Sequence, residues 1–325
     1  MKIKSIDGRE KFQQISKEFS AMLYDPYPNL QCNETIDKNF DKGFVLYANN
    51  EIAATACVIK NPDLFFNNEN AVCLAFYECV ENAEASKMLL QTIAEYCQQQ
   101  GYKYLIGPFN GSTWNSYRFA LEPITDSYFG EPFHKHYYAE QFKNFGFQTA
   151  AEYVTQINTA LVLPDTPTIL NETFLFRTLD INNYETEMKN IFSFCKEIFH
   201  NNFLYTEIGE EIFLSKYIAL KNIIHPELVL IAEDNGEIVG LILALHDFYC
   251  KHEKRMIIKT LGRKSDARYA GLAYELSRRI IKIAIENKYQ TVLHAFMHQN
   301  NASVKMSNKF SGKPFRKYKL FYKEL

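Results

Sequence analysis

One segment of the sequence combines small and basic residues in a way that suits phosphate binding. It reads KSDARYAGLAYELSRRI from Lys264 to Ile280, with Arg268, Gly271 and Ala273 in an R-x-x-G-x-A spacing. Apolar residues recur behind the glycine at helical spacing, so we expect a helix to begin here. A helix N-terminus offers unpaired backbone N–H groups and the positive end of the helix dipole, which stabilise an anion. The glycine would let a diphosphate approach the backbone.

The same segment also has an explanation that involves no ligand. Asp266 would be an ordinary N-cap, Gly271 a packing residue and the arginines part of a solvated face. The spacing alone is as unspecific as a lone G-x-G-x-x-G motif. The position of the segment within the whole chain therefore decides between the two interpretations.

The elements around this segment occur twice along the chain. The second half has two apolar runs around Asn235-Gly236, and the first half has the same design around Asn49-Asn50, at an offset of about 186 residues. Asn-Gly favours a type I′ turn, so we expect a β-hairpin in the second half and a hairpin of the same design in the first. A lone strand, an amphipathic helix and another strand follow in each half, and Tyr102 corresponds to Tyr289. Such a repeat predicts two similar domains in tandem.

The repeat predicts an α+β fold for each half, in three layers, with a mixed, mostly antiparallel sheet flanked by helices. We expect domains at 1–165 and 166–325, with a linker at Pro164 to Phe174 and an insertion near 110–132 that contains the single tryptophan, Trp114. The turn equivalent to Lys264–Ile280 reads VENAEASKML in the first half, with two glutamates and no glycine. Carboxylates repel phosphate, so the second half is the predicted phosphate binder.

The composition excludes several functional classes. The 325-residue chain has a formal net charge of −2, which argues against a nucleic-acid partner. Its longest apolar run, Ile238 to Leu245, is too short to span a membrane. Seven dispersed cysteines without a C-x-x-C pair indicate reduced thiols and a cytoplasmic protein. The sequence has no cluster of histidines and cysteines spaced like a metal-binding motif, so we expect no metal site.

These motifs together resemble the GNAT acyltransferase superfamily. Arg268, Gly271 and Ala273 match its pyrophosphate loop, and the segment from Asn300 through Ser303 and Met306 to Lys309 resembles its second motif. The resemblance covers the whole chain as two tandem GNAT domains. It is closest to a bacterial group of double-domain GNAT-like proteins, whose first copy carries a G-P-x-N segment like Gly107–Asn110 and a Tyr-Tyr helix like Tyr137-Tyr138.

The resemblance implies acetyl-CoA or a longer acyl-CoA as cofactor, bound by the C-terminal domain. The fourth and fifth strands, Arg255 to Leu261 and Thr291 to Met297, would splay apart around the pantetheine arm. The residues implied in cofactor binding are Thr260, Leu261, Arg263, Arg268, Tyr269, Ala270, Gly271, Leu272, Ala273, Asn300 and Ser303. The degenerate N-terminal domain would shape the acceptor site.

The resemblance also implies acyl transfer to an amine, which calls for a base and for an acid at the leaving thiolate. The acid in the superfamily is often a tyrosine on the last helix, where this chain has Ser307; Tyr318 or Tyr322 could substitute. His246 is the first choice as base, with His294 and Glu275 as alternatives. The insertion predicts Trp114 and Tyr117 as acceptor contacts, together with His294.

The sequence therefore predicts an acyl-CoA-dependent N-acyltransferase with a small-molecule or peptide amine as acceptor. Two alternatives stay open. Ser307 at the acid position is compatible with a non-catalytic CoA-binding sensor. Paired GNAT-like domains also occur in aminoacyl-tRNA-dependent transferases, the FemABX-like enzymes, although the near-neutral charge and the Arg268–Ala273 loop oppose that interpretation. Acyl chain length and oligomeric state are not specified by these patterns.

Overall fold

The architecture comes from a computed structural model that describes residues 1–25, 34–164, 170 and 174–325. The first half of the chain folds into a strand, a helix, a hairpin, a strand, a helix, a strand, a helix and a strand. Its elements are β1 (Lys2–Ile6), α1 (Arg9–Leu23), β2 (Phe40–Ala48), β3 (Glu51–Ile59), β4 (Phe65–Phe66), β5 (Glu69–Cys79), α2 (Ala83–Gln99), β6 (Tyr104–Gly107), β7 (Phe119–Ala120), α3 (Tyr138–Asn144) and β8 (Gln148–Asn158).

The second half repeats this order with an additional helix before its hairpin, so the predicted repeat is confirmed. Its elements are β9 (Leu175–Thr178), α4 (Tyr184–Phe199), α5 (Glu210–Ile218), β10 (Val229–Asp234), β11 (Glu237–His246), β12 (Arg255–Arg263), α6 (Leu272–Glu286), β13 (Thr291–His298), α7 (Ala302–Lys309) and β14 (Lys313–Glu324).

The two hairpins turn as their sequences predict. Asn49 and Asn50 join β2 to β3 with φ values of 52° and 68°, and Asn235 and Gly236 join β10 to β11 with φ values of 50° and 83°. Two consecutive residues in the left-handed region are the mark of a type I′ turn, which matches the twist of the flanking strands.

One continuous mixed sheet joins the two halves through an exchange of their last strands. The order of the described strands is β1-β2-β3-β5-β6-β14-β8-β13-β12-β11-β10-β9, and the β5–β6 and β12–β13 pairs are parallel. Strand β8 of the first half pairs with β13 of the second, and β14 of the second pairs with β6 of the first. Each half therefore has its sheet completed by the other.

Helices cover both faces of this sheet, which gives the three expected layers. Helix α6 packs against β11, and Gly240 allows the close approach, because a Cβ there would lie 2.8 Å from Leu272 Cδ2. On the opposite face, a Cβ on Gly262 would collide with Ile198 at the end of α4. Four apolar clusters, two in each half, fill the spaces between helices and sheet.

Several expectations concern residues outside the described part. The proposed linker at Pro164 to Phe174 lies mostly there, as does Cys32, so the boundary between residues 165 and 166 stays a prediction. The six described cysteines are free and buried. Among the described helices, none is long and apolar enough to cross a membrane.

Candidate active site

The C-terminal half opens a gap between β12 and β13. The two strands pair from Arg255 opposite Thr291 to Ile258 opposite His294, and both then continue without pairing each other. Irregularities accompany the separation: the register of β12 against β11 shifts next to Ile258, and Phe296 in β13 has a φ of 57°. The predicted splaying of the fourth and fifth strands is thus present.

A cleft of about 620 Å³ occupies this gap and extends to the insertion of the first half. Its walls are residues 258–261 of β12, residues 294–298 of β13, the start of α7, and residues 113–118 of the insertion. Seven residues singled out from the sequence line it together: Thr260, Leu261, Asn300, Ser303, Trp114, Tyr117 and His294. Residues from both halves of the chain therefore surround one cavity.

The loop before α6 has the geometry of an anion cradle. Gly271 is the residue before α6, has a φ of 85°, and leaves the helix N-terminus without a side-chain cap. Asp266 instead caps the preceding short 3₁₀ turn, where its Oδ1 accepts a hydrogen bond of 2.9 Å from Arg268 N. Within the described part of the chain, Gly271 therefore provides no side-chain cap to the N-terminus of α6.

The side chains of this loop differ in what they can offer a ligand. Arg268 is half exposed and lies near Asp234 and Asp266. Arg263 donates to the carbonyl oxygens of Lys264 and Asp266, so it also stabilises the loop itself. Tyr269 is buried in the core and donates to Asp234 at 3.2 Å, so only its backbone faces the loop. Ala270 and Ala273 add little bulk beside Gly271.

The equivalent turn in the first half is closed by its own side chains. Asn82 caps α2, with its Oδ1 accepting from Ala85 N at 2.9 Å. The free edge of β5 is also occupied, since Phe109 N donates to the Leu74 carbonyl and Phe76 N donates to Asn110 Oδ1, each at 2.9 Å. Neither the helix nor the strand offers the backbone groups that its counterpart leaves open.

Two predicted catalytic residues, His246 and Ser307, lie outside the cleft. His246 ends β11 opposite Met256, where it packs on Phe248 and Tyr289 at the far end of the strands. Ser307 is fully buried, and Gly312 packs against its hydroxyl. These positions argue against His246 as the base and Ser307 as the acid, because neither side chain reaches the cavity between β12 and β13.

Tyr318 belongs to a buried network that holds the insertion in place. Its hydroxyl donates to Glu131 and lies 2.9 Å from the Tyr128 hydroxyl, while Arg316 Nη1 donates to Glu131 at 2.6 Å. A second clamp joins the insertion to β12, where buried Arg255 pairs with Asp126 at 2.6 Å and with Asp247 at 2.7 Å. Tyr318 thus has a positioning role in this structure.

Two histidines of β13 line the cleft: His294, and His298 at the end of the strand. His294 is 7% exposed, and burial lowers the pKa of its imidazole to about 4, so the ring is neutral at neutral pH. Its Nε2 has no hydrogen-bond partner among the described residues. Burial also lowers the pKa of His298, whose Nδ1 accepts from Asn300 N at 3.3 Å. That bond assigns the proton of neutral His298 to Nε2.

Two cations in the cleft were not identified from the sequence. Arg118 is 7% exposed, and Lys259 interrupts the apolar run of β12. Burial, followed by the nearby Arg118 charge, lowers the pKa of Lys259 to about 7. The lysine directly after the apolar run Met256–Ile258 was the available signal, whereas Arg118 sits in an insertion whose partners come from distant segments.

A smaller cavity of about 280 Å³ lies in the first half and shares part of its wall with the cleft. Glu78 lines it, accepting hydrogen bonds from Tyr24 and Tyr138 at 2.9 and 2.6 Å. Burial raises the pKa of Glu78 to about 7 despite these donors. The first half therefore contributes a titratable carboxyl close to the shared wall.

Three side chains of the loop between β11 and β12 lie close enough together to bind a metal ion. Potential ligand atoms of Cys250, His252 and Glu253 lie within 4.8 Å of one another. The cluster has no sequence signature, because its members are not spaced like a known metal motif. Glu253 also accepts from Thr291 at 2.6 Å, and none of the three lines the cleft.

Comparisons with known proteins agree with this geometry. Residues 187–312 match the model of the acetyltransferase (GNAT) family. A GCN5-related N-acetyltransferase from Sphaerobacter thermophilus is similar in fold at 13% identity, with a TM-score of 0.54, covering 99% of this chain and 95% of its own. A GCN5-related N-acetyltransferase from Anabaena variabilis is also similar in fold, at 11% identity and a TM-score of 0.57. The comparison covers 99% of this chain and 73% of that chain.

A tandem GNAT protein from the clavulanic acid biosynthesis pathway is also similar, at 6% identity and a TM-score of 0.52, with 99% of this chain and 98% of that chain covered. Identities this low show a shared fold. The comparison extends over both halves of the chain, in keeping with the tandem arrangement. No curated protein sequence matches the chain.

Proposed function

We propose, because residues 187–312 match the model of the acetyltransferase (GNAT) family, that this protein transfers an acyl group from acyl-CoA to an amine. The group is acetyl in the first instance, and the acyl-CoA binds the C-terminal half. The observation that carries the proposal is that the C-terminal half combines splayed strands, which open a large cleft, with a glycine-led helix that has no side-chain N-cap.

The residues present fit such a cofactor. The N–H groups at the start of α6, with Arg263 and Arg268 nearby, would hold the pyrophosphate. The β12 edge that no longer pairs with β13 beyond Ile258, with Thr260 and Leu261, would hold the pantetheine arm, and Asn300 and Ser303 border the same cavity. When bound, acyl-CoA supplies an acyl group activated as a thioester.

The chain must also keep the acceptor amine neutral and in place. The positive charge of Arg118 disfavours a further cation in the cleft, so it lowers the pKa of a bound ammonium group. Neutral His294 lines the cleft and has an unprotonated ring nitrogen that would accept an N–H of the amine. His298 offers an Nε2–H donor where negative charge develops. Both imidazoles border the gap between the strands.

Steady-state CoA release tests this proposal. Wild-type protein with acetyl-CoA should release CoA only when a suitable amine from a broad panel is added, and His294→Ala should lower kcat/KM at least tenfold. The matched control is His252→Ala, because His252 lies outside the cleft. Saturable acetyl-CoA binding without amine-dependent release from any panel member would contradict transferase activity and favour the sensor alternative.

The assignment of the cofactor to one half has its own control. The double variant Glu81→Gln, Glu84→Gln removes the acidic charge from the turn before α2, and we expect it to leave acetyl-CoA affinity unchanged. A change of more than threefold in Kd, measured by calorimetry, would contradict a cofactor site confined to the C-terminal half.

A further inference from the structure

Arg118 is a buried cation held by aromatic rings. Its guanidinium carbon lies 3.8 Å from the ring centre of Tyr117, 4.6 Å from that of Tyr153 and 4.4 Å from that of Phe296. The side chain is 7% exposed, and its Nε and Nη1 have no hydrogen-bond partner among the described residues. Cation–π contacts fix the guanidinium but leave its N–H groups unsatisfied. A buried arginine normally pairs with an anion.

Lys259 approaches the same place from β12. Its Nζ lies 4.4 Å from the ring centre of Phe296, so this one ring contacts both cations. Within the described residues, no carboxylate forms an ion pair with either side chain, although Arg255 and Arg316 each have one. Glu131, which attracts Lys259, is engaged by Arg316 and Tyr318. Within the described residues, an arginine and a titratable lysine are thus brought together without an ion-pair partner.

The arrangement lies where the cleft meets the smaller cavity. The residues that line both cavities are Glu34, Ser116, Tyr117, Arg118, Gly130 and Pro132. Glu34 is the carboxylate in this set, and its oxygens accept from Ser116 N at 2.8 Å and Asn110 Nδ2 at 2.9 Å. These donors are neutral, so Glu34 keeps its charge, but no ion pair joins it to Arg118 among the described residues. An anion paired directly with Arg118 would come from a ligand.

We propose that Arg118 and Lys259 form a subsite for a carboxylate of the acceptor, so that the acceptor is an amino acid or another amine bearing a carboxylate. This inference rests on the proposed function, which it deepens by giving the substrate class. The junction lies on the acceptor side, at the wall built by the insertion, and it is separate from the loop before α6. The aromatic side chains of Trp114, Tyr117 and Tyr205 nearby suit an amino acid with an apolar side chain.

Product-like probes isolate the carboxylate. N-acetyl-L-phenylalanine and N-acetyl-L-leucine each differ from their primary amides only in that group, and none of the four carries a titrating amine. Calorimetry at neutral pH, with and without CoA, should show at least one acid binding wild type tenfold or more tightly than its amide. If neither acid is preferred over its amide, the subsite is refuted.

Variants connect that preference to the two cations. Arg118→Met and Lys259→Met should each reduce the preference of the acid over the amide to less than threefold, while the control Lys282→Met, on the exposed face of α6, should keep it. Because Arg118→Met could disturb folding, Lys259→Met decides independently. A full preference retained in folded Lys259→Met would overturn its place in the subsite.

Two further titrations separate the sources of failure. If the carboxylate belonged to the acyl group, succinyl-CoA would bind tenfold more tightly than butyryl-CoA in wild type but not in Lys259→Met, and the acceptor assignment would be wrong. If acetyl-CoA did not bind at all, the proposed function would fail, whereas an acid preference measured without CoA would still support the anion subsite.

Discussion

Gly271→Glu should abolish acyl-CoA binding while leaving the protein folded. Gly271, the residue before α6, has a φ of 85°. Replacing it with any residue that has a side chain therefore costs about 1–2 kcal/mol of folding free energy, because that backbone conformation is strained. The added carboxylate would also stand at the open N–H groups that we assign to the pyrophosphate. Backbone strain and electrostatic repulsion must therefore be separated.

Gly236→Glu provides the matched control. Gly236 has a φ of 83° in the β10–β11 turn, and a Cβ there would meet no atom within 4 Å. The Gly236→Glu substitution adds the same backbone strain and the same negative charge to the C-terminal half, at a site away from α6. Both variants should lower the Tm of the free protein by about 2 °C, as expected for that cost spread over a chain of this length.

The assay is a thermal-shift titration with acetyl-CoA. A ligand at a hundred times its Kd adds about 2.7 kcal/mol to the free energy of unfolding, which for this chain length raises Tm by about 4 °C. Wild type and Gly236→Glu should show that shift, and Gly271→Glu should show none. An equal shift in Gly271→Glu would refute the assignment of the pyrophosphate to this loop.

Two predictions concern the first half and the insertion. Because burial raises the pKa of Glu78 from 4.5 to about 7, its stabilising contribution is complete below about pH 4.5 and is lost as pH rises to about 7. Urea unfolding should show Glu78→Gln gaining about 3 kcal/mol relative to wild type between pH 4 and pH 8, and a pH-independent difference would contradict this. Arg316→Met leaves Glu131 buried and unpaired, so it should cost about 3–5 kcal/mol, and a loss below 1 kcal/mol in the same experiment would show that the network is not structural.

Local patterns in the sequence were sufficient for the elements and for the repeat. Asn235-Gly236 specified a turn, the apolar stripe after Gly271 specified α6, and the absence of glycine before α2 distinguished the two halves. Each of these signals depends on neighbouring residues in one segment. The exchange of β8 and β14 has no such signal, because either strand could pair with the edge of β6 or of β13.

The positions of the catalytic side chains depend on tertiary packing, which sequence spacing does not reveal. Ser307 sits at the position expected from the resemblance, yet the turn at Gly312 encloses its hydroxyl. His246 ends a strand as expected, but at the end remote from the gap. Arg118 was missed because its cage joins Tyr117, Tyr153 and Phe296, which lie on three separate segments. Sequence spacing cannot place such residues together.

The stoichiometry of acetyl-CoA binding to the wild-type chain tests the central claim most directly. The open loop before α6 and the closed turn before α2 predict one site per chain. Isothermal titration calorimetry, with protein concentration fixed by amino-acid analysis, should therefore give one acetyl-CoA bound per chain. Two equivalents per chain, or no saturable binding, would contradict an account in which only the C-terminal half holds the cofactor.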